Sequence, residues 1–154
     1  MGASIGDFSI GVLNEFPSAK IFSFEPDPKS FSLLKENILL NNAEKHVKAF
    51  NFGIDSESKG RFKTLAQVFL ENQIESCDLL KMDIEGYEYK IFELMDVKTL
   101  CLIKRITMEC HFPANLDESK LQALINRLRS HGFIIEIKKI LSNNTVVFLY
   151  GENQ

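Results

Sequence analysis

The chain of 154 residues carries 45% hydrophobic and 25% charged residues and a formal net charge of −3. This composition is typical of a globular protein, interpreted as a single domain over residues 1–154. The basic residues are scattered without a Lys/Arg run, which argues against nucleic-acid binding. No apolar run could cross a membrane, and the first residues lack the regions of a signal peptide, so a soluble protein is expected.

In the first half, strand-type and helix-type segments alternate, as in an α/β fold with a mostly parallel sheet. The pattern predicts a helix over 7–16, a strand over 20–25, a helix from Pro28 to 41–42 and a strand over 47–52. Asp27 is expected to cap the second helix, because its side chain can accept from the first-turn N–H groups and Pro28 already has a helical φ.

The second half predicts a helix over 64–72, strands over 78–84 and 103–109, and an amphipathic helix from Asp117 that Gly132 ends. The buried face of that helix is expected to comprise Leu121, Leu124, Ile125 and Leu128. Two strands over 134–140 and 145–150 follow, joined by a Ser-Asn-Asn turn. This loop is too short for a crossover helix, so an antiparallel hairpin is expected.

The three cysteines, Cys77, Cys101 and Cys110, stand among apolar neighbours without a C-x-x-C motif or a paired spacing. They are interpreted as reduced thiols of the core, since thiols stay reduced inside the cell. A cytoplasmic location is therefore expected.

A glycine turn and a strand-end acid indicate an adenosine-type cofactor. Gly2 and Gly6 bracket a turn that opens the first helix, where glycines let backbone N–H groups approach a ligand closely. Glu25 ends the next strand, nineteen residues after Gly6, near the spacing of a carboxylate that binds ribose hydroxyls. The alternatives are a packing turn and a solvated strand-end charge, and NAD and S-adenosylmethionine share the pattern.

Three carboxylates around the end of the presumed central strand favour S-adenosylmethionine. Asp83, Glu85 and Glu88 stand where the ligand crevice of a doubly wound sheet lies. Acids there suit a cationic sulfonium and would repel a pyrophosphate. Glu85 and Glu88 could instead only stabilise a helix N-terminus.

Four blocks of the chain resemble the FkbM family of methyltransferases. They are Gly2-Ala3-Ser4-Ile5-Gly6-Asp7-Phe8-Ser9, Phe24-Glu25-Pro26-Asp27-Pro28 with the helix after it, Leu79 to Glu88, and Ile106-Thr107-Met108-Glu109-Cys110-His111. The third block is the most specific of the four. The resemblance implies a class I (Rossmann-like) three-layer sandwich, S-adenosylmethionine as methyl donor, and a hydroxyl of a sugar or secondary metabolite as acceptor.

The resemblance also implies positions for the cofactor. Residues of the glycine turn (Gly2, Ala3, Ser4, Gly6 and Asp7) would flank its methionine part. Glu25 would hold the ribose, with Pro26 and Asp27 shaping that wall. Phe52 and Gly53 would lie by the adenine, and Asp83 near the reacting methyl.

The family's glycine turn normally follows an apolar strand, whereas this sequence begins at Met1, within the turn. The chain is interpreted as lacking that central strand, which leaves backbone edges open on both neighbouring strands. A second copy could cap them, giving a homodimer. Two other functions stay open: an inactive methyltransferase-like module and an NAD-binding oxidoreductase half-domain.

Asp83, Glu109 and His111 are the candidate catalytic residues, since a hydroxyl acceptor benefits from a base that removes its proton. Glu109 and His111 are two residues apart, so on a strand both face the same way and could pair. The trio could also hold a divalent cation, or His111 could have a structural role only. No metal site is assigned, and the partner expected is a small-molecule or glycan acceptor.

Overall fold

The structure is a computed structural model that describes residues 1–84, 86–111, 118–139 and 146–153. Its helices are α1 (Asp7–Glu15), α2 (Pro28–Leu40), α3 (Leu65–Glu71), α4 (Glu88–Leu94), α5 (Val97–Cys101) and α6 (Glu118–Ser130). Its strands are β1 (Ile21–Phe24), β2 (Val47–Phe50), β3 (Gly53–Ile54), β4 (Phe62–Lys63), β5 (Leu80–Met82), β6 (Arg105–His111), β7 (Phe133–Lys139) and β8 (Val146–Asn153).

The chain divides into two compact units. One comprises Met1–Ile54 with Ser58–Lys63, and the other comprises Asp55–Glu57 with Thr64–Gln154. The interpretation as a single functional domain over residues 1–154 stays a prediction.

In the first unit, β1 and β2 form a parallel pair, with Ile21 opposite Val47. Helix α2 buries Leu34 and Ile38 in a cluster with Val47, as the helical spacing of these apolar residues predicts. Asp27 caps this helix: its Oδ1 accepts hydrogen bonds from the backbone N–H of Lys29 and of Ser30. The predicted helices and strands of this unit, and the cap, are confirmed.

The sequence did not predict β3 and β4, a parallel pair of two residues each in the first unit. A segment of two residues carries no period-2 pattern by which it could be recognised. In the described part of the chain, no strand precedes α1, and β1 has β2 as its one strand neighbour.

The second unit contains a mixed sheet in the order β5-β6-β8-β7. Strands β5 and β6 are parallel, and β8 is antiparallel to both β6 and β7. The expected hairpin of the last two strands is thus confirmed, with β8 in the middle. The Ser-Asn-Asn turn expected between them lies outside the described residues, as does Asp117.

The predicted strand over 103–109 is corrected to Arg105–His111. Residue-by-residue pairing with β8 continues to His111, which lies opposite Val146, and keeps the strand extended. The apolar face of α6 is buried, as expected. It comprises Leu121, Leu124, Ile125 and Leu128.

Two short helices, α4 and α5, were not predicted. The assignment of the cysteines to the core is corrected for Cys101. Cys110 is buried and Cys77 half-buried, but Cys101, the last residue of α5, is exposed. All three thiols are free.

Across the described ranges, no helix is both long and apolar enough to cross a membrane. Strand β5 has β6 as its one described strand neighbour, and the open backbone edge expected beside the missing strand stays a prediction. The homodimer that could cap such an edge concerns a second chain and stays a prediction.

Candidate functional site

The glycine turn of the first unit has a backbone that side chains rarely allow. Gly2, Ser4 and Gly6 have positive φ angles of 69°, 48° and 92°. Ala3 N–H donates to the carbonyl of Phe24 at the end of β1, over 3.0 Å. The turn is therefore tied to the carboxyl end of that strand, where ligands bind in doubly wound folds.

Gly6 is required for two reasons. It lies in the left-handed region directly before α1, where a side chain is strained. A Cβ there would also lie 2.5 Å from Cδ1 of Leu34, which is fully buried. The glycine thus lets the start of α1 approach α2 closely.

Glu25, the predicted ribose ligand, is buried, with 8% of its surface exposed. One carboxylate oxygen accepts a hydrogen bond from Ser4 N–H at 2.7 Å, and the other from Asp27 N–H at 2.9 Å. An ionised carboxylate has about four lone-pair positions, so about two remain for a diol. The two backbone bonds fix the carboxylate before any ligand arrives.

Asn51 is a residue of this site that sequence reasoning missed. Its Nδ2 donates to the carbonyl of Glu25 at 2.9 Å and to that of Pro26 at 3.3 Å. The amide therefore holds the backbone just after β1 in position. Its place directly after β2 was the available signal, since polar residues after parallel strands often belong to sites.

The predicted adenine neighbours stand beside an aromatic cluster. The rings of Phe24, Phe50 and Phe52 lie 5.2 to 5.5 Å apart, centre to centre. Gly53 is buried, and a Cβ there would lie 2.6 Å from the ring of Phe62. Gly53 thus allows β4 to pack closely, while Phe52 offers a ring on which a base could stack.

In the second unit, Asp83 directly follows β5. Lys81 Nζ donates to its Oδ2 at 3.0 Å, and both side chains are largely buried, with 20% and 30% exposed. The lysine holds one carboxylate oxygen and leaves Oδ1 on the side of β6. Of the neighbouring acids, Glu85 lies outside the described residues.

Asp83, Glu109 and His111 come together. Glu109 and His111 alternate with the buried Met108 and Cys110 along β6, so they share one face. Each of the three offers one ligand atom, and these atoms lie within 4.8 Å of one another. Nε2 of His111 is 3.9 Å from Oδ1 of Asp83.

Glu88 is the partner of His111 that sequence reasoning did not identify. Its side chain is fully buried in the first turn of α4, and its Oε1 lies 3.6 Å from Nδ1 of His111. The same oxygen accepts a hydrogen bond from Ile84 N–H at 3.0 Å. Among the described residues, Oε2 has no hydrogen-bond partner.

Burial raises the pKa of the Glu88 carboxyl, because a low-dielectric surrounding disfavours its charge; the hydrogen bond from Ile84 and the nearby His111 oppose this. The expected pair of Glu109 and His111 is thus joined by a second, deeper carboxylate. The sequence predicts Glu88 as one of three carboxylates at the ligand crevice, with a helix-terminus acid as the alternative, but its separation of 23 residues from His111 gives no sign of their contact.

The thiols of Cys110 and Cys77 are unsuitable nucleophiles. Burial, with a smaller contribution from Glu88, raises the pKa of Cys110 to about 12. Burial and Asp78 raise that of Cys77 to about 11. Since the thiolate is the reactive form, neither is set up for covalent catalysis.

Two family models match this chain. The methyltransferase FkbM domain matches residues 61–135. The TRM5/TYW2 methyltransferase domain matches residues 1–90, more than half of the chain. Together they extend over both units described above.

Single proteins agree with the family models. Methyltransferase sdnD of Sordaria araneosa is 25% identical to this chain in an alignment 180 residues long. The alignment covers 80% of this chain and 69% of that protein. The crystal structure of precorrin-6y C5,15-methyltransferase from Geobacter metallireducens is similar with a TM-score of 0.65 and 17% identity, covering 100% of this chain and 78% of that one. A putative rRNA-methylase from Clostridium thermocellum gives a TM-score of 0.64 and 9% identity, covering 97% and 84%. These structures show the class I methyltransferase fold.

Proposed function

Because the chain belongs to the TRM5/TYW2 methyltransferase domain family and is an S-adenosylmethionine-dependent methyltransferase of the FkbM type, we propose that it methylates a hydroxyl group of a small molecule or glycan. The observation that carries this proposal is the convergence of Asp83, Glu109 and His111 within 4.8 Å. A hydroxyl needs help to lose its proton, and this cluster offers it.

The cofactor residues of the proposal lie in the first unit. The glycine turn brings the start of α1 to the carboxyl end of β1, and the N-terminus of a helix suits the cofactor's carboxylate. Glu25 accepts from the ribose diol, because Ser4 and Asp27 hold its carboxylate in position and its remaining lone pairs are free for donors. Phe52 stacks on the adenine.

When bound, S-adenosylmethionine supplies a methyl carbon on a sulfonium, an electrophile with a good leaving group. The protein's part is to hold the acceptor oxygen in line and to make it nucleophilic. A hydrogen bond from Nδ1 of His111 to Glu88, 3.6 Å away, would leave Nε2 facing Asp83 with a lone pair. That nitrogen is placed to take the hydroxyl proton or to bind a group that acidifies it.

The first test is calorimetric titration of the protein with S-adenosylhomocysteine and, separately, with NAD. We expect micromolar binding of the first and none of the second. Methyl transfer from radiolabelled S-adenosylmethionine to a panel of sugars and hydroxylated metabolites then tests the acceptor class. If the protein binds S-adenosylhomocysteine and transfers the methyl group to no hydroxyl, the acceptor proposal is wrong. A folded protein that binds neither S-adenosylhomocysteine nor NAD is an inactive module.

A nucleic-acid acceptor is the second candidate, favoured by the similarity to a putative rRNA-methylase. The net charge of −3 argues against it, since phosphate contacts dominate nucleic-acid affinity. Incubation with total RNA under the same labelling conditions separates the two. Label in RNA and none in small molecules would favour this second function.

A cytoplasmic location belongs to the proposal as well, because all three thiols are free. It is tested by localising a tagged copy of the chain.

A further inference from the structure

We propose that Asp83, Glu109 and His111 form a binding site for a divalent first-row metal ion, with Glu88 as the outer carboxylate that orients the histidine. The inference deepens the proposed function, because the ion would bind the acceptor hydroxyl and raise its acidity. In that arrangement Nε2 of His111 is a metal ligand, and the hydroxyl proton leaves to solvent.

The spacing of the donors supports the site. One oxygen of Asp83, one of Glu109 and a ring nitrogen of His111 lie within 4.8 Å of one another. Bonds of about 2.1 Å put ligand atoms about 3.0 to 4.2 Å apart in an octahedral shell. A pair of donors on opposite sides of the ion would therefore close by about half an ångström, and a pair in adjacent positions by about 1 to 2 Å. Other coordination positions stay open for water or a substrate oxygen.

The elements that carry these donors are rigid. Glu109 and His111 are on β6, which is paired along its length with β8, and Met82, just before Asp83, pairs with Met108. All three donors are half-buried rather than mobile surface groups. Sites on strands hold their geometry better than sites on loops.

Glu88 is an independent second observation. Metal-binding histidines almost always donate their other ring N–H to a carboxylate, which fixes the tautomer and raises the basicity of the ligand nitrogen. Here Nδ1 of His111 lies 3.6 Å from a fully buried carboxylate, while Nε2 faces Asp83. Burying a carboxylate is costly unless it is paired or hydrogen-bonded, so the position of Glu88 needs a structural reason. Its Oε2 has no hydrogen bond among the described residues.

Charge balance also favours a cation. Asp83, Glu109 and Glu88 surround one imidazole, and Lys81 approaches Oδ2 of Asp83, away from the donor oxygen Oδ1. A bound divalent ion would compensate two carboxylates at close range. The set of two oxygens and one nitrogen suits Mn²⁺ or Fe²⁺, because carboxylates bind hard ions and imidazole favours first-row transition metals.

The test uses Mn²⁺ alone as the probe, without S-adenosylmethionine and without any acceptor. The purified, EDTA-treated full chain is titrated while the electron paramagnetic resonance signal of free Mn²⁺ is followed. We expect one ion per chain, and an affinity reduced at least tenfold in Glu109→Gln and in His111→Ala. Glu88→Gln should reduce it by about tenfold, as outer carboxylates do.

Glu93→Gln is the matched control, since Glu93 is an exposed acid of the same helix as Glu88. It should bind Mn²⁺ as the unaltered protein does. Circular dichroism melts confirm that each variant is folded; for a variant that is not, His111→Gln or Asp83→Asn replaces it. Binding that is absent, or that Glu109→Gln and His111→Ala leave unchanged, overturns the site.

The two proposals fail in different ways. Methyl transfer that persists in EDTA, by a protein that does not bind Mn²⁺, overturns the metal site and leaves the proposed function intact. One Mn²⁺ per chain, lost in the variants, with no transfer to any hydroxyl, supports the site and overturns the acceptor proposal.

Discussion

The fully buried carboxylate of Glu88 lies 3.6 Å from the ring nitrogen Nδ1 of His111. This contact joins the first turn of α4 to β6, two elements more than ten residues apart in sequence. It makes His111 the centre of a group of carboxylates rather than an isolated strand residue. It also makes the ionisation of Glu88 a property on which folding depends.

The Glu88 carboxyl should contribute to the pH dependence of the free energy of unfolding. Burial raises the pKa of its carboxyl above the ordinary value of 4.5, so the folded protein holds this proton more tightly than the unfolded chain. Its contribution is fully present below the ordinary pKa and is lost as pH rises through the raised one. A tenfold difference in proton affinity between the folded and unfolded chains corresponds to about 1.4 kcal/mol in the free energy of unfolding.

Urea unfolding at several pH values between about 4 and about 8 measures this. We expect the free energy of unfolding to decline less with rising pH in Glu88→Gln than in the original protein. The exposed Glu93→Gln should show the same decline as the original protein. If the free energy of unfolding depends on pH in the same way in the original protein and in Glu88→Gln, the Glu88 carboxyl is not the cause of that dependence.

Cofactor affinity should depend on the charge of Glu25. In Glu25→Gln the side chain has one carbonyl oxygen and cannot accept from both Ser4 and Asp27 as the carboxylate does. Hydrogen bonds to charged groups contribute about 1.5 to 3 kcal/mol, so S-adenosylhomocysteine should bind about tenfold to a hundredfold more weakly. Calorimetric titration measures the change, with the exposed Glu36→Gln of α2 as control.

Gly6→Ala and Gly11→Ala form a matched pair for stability. Gly6 has a φ of 92°, and a Cβ would lie 2.5 Å from Leu34, whereas a Cβ at Gly11 meets nothing within 4 Å. We expect Gly6→Ala to lower the free energy of unfolding by about 1 to 3 kcal/mol. Gly11→Ala, inside α1, should raise it by up to about 1 kcal/mol.

A double-mutant cycle separates the two causes at Gly6. If the contact with Leu34 matters, Gly6→Ala should cost less in a Leu34→Ala background, since that side chain is gone. An equal cost in both backgrounds would assign the whole effect to the backbone angle.

The three thiols should react in a fixed order with iodoacetamide at about pH 8. Cys101 is exposed and should be alkylated first. Cys77 and Cys110 should lag far behind, because burial raises their pKa values to about 11 and about 12 and leaves little thiolate. Mass spectrometry of peptides over time records the order, and it should disappear in denaturing urea. Rapid labelling of Cys110 in the folded protein would contradict its burial.

The sequence predicted the long elements, because their apolar spacing reports which side is buried. Leu34 and Ile38 on α2 and the four apolar residues of α6 are examples, and the cap at Asp27 follows from local chemistry. It did not predict β3 and β4, since segments of two residues show no period, nor the short helices α4 and α5.

For the candidate site, the glycine turn, Glu25 and the trio of Asp83, Glu109 and His111 could be chosen from position at strand ends. Asn51 also follows a strand, but that position does not give its role, and the roles of Asn51 and Glu88 depend on which atoms they meet across the fold. Glu88 reads as a helix-terminus acid, and only the contact with His111 shows otherwise. Asn51 reads as a loop residue until its two carbonyl partners are seen.

Strand β8 lies between β6 and β7, although it follows both along the chain. On a ribosome, β6 is therefore made well before the neighbour that pairs with it from Arg105 to His111. Until Val146–Asn153 has emerged, that side of β6 is an open edge, and Glu109 and His111, which lie beyond the pairing of β6 with β5, have no strand partner. Translation that stops short of β8 would release a chain that contains every proposed acceptor-site residue but lacks the strand that pairs with Glu109 and His111.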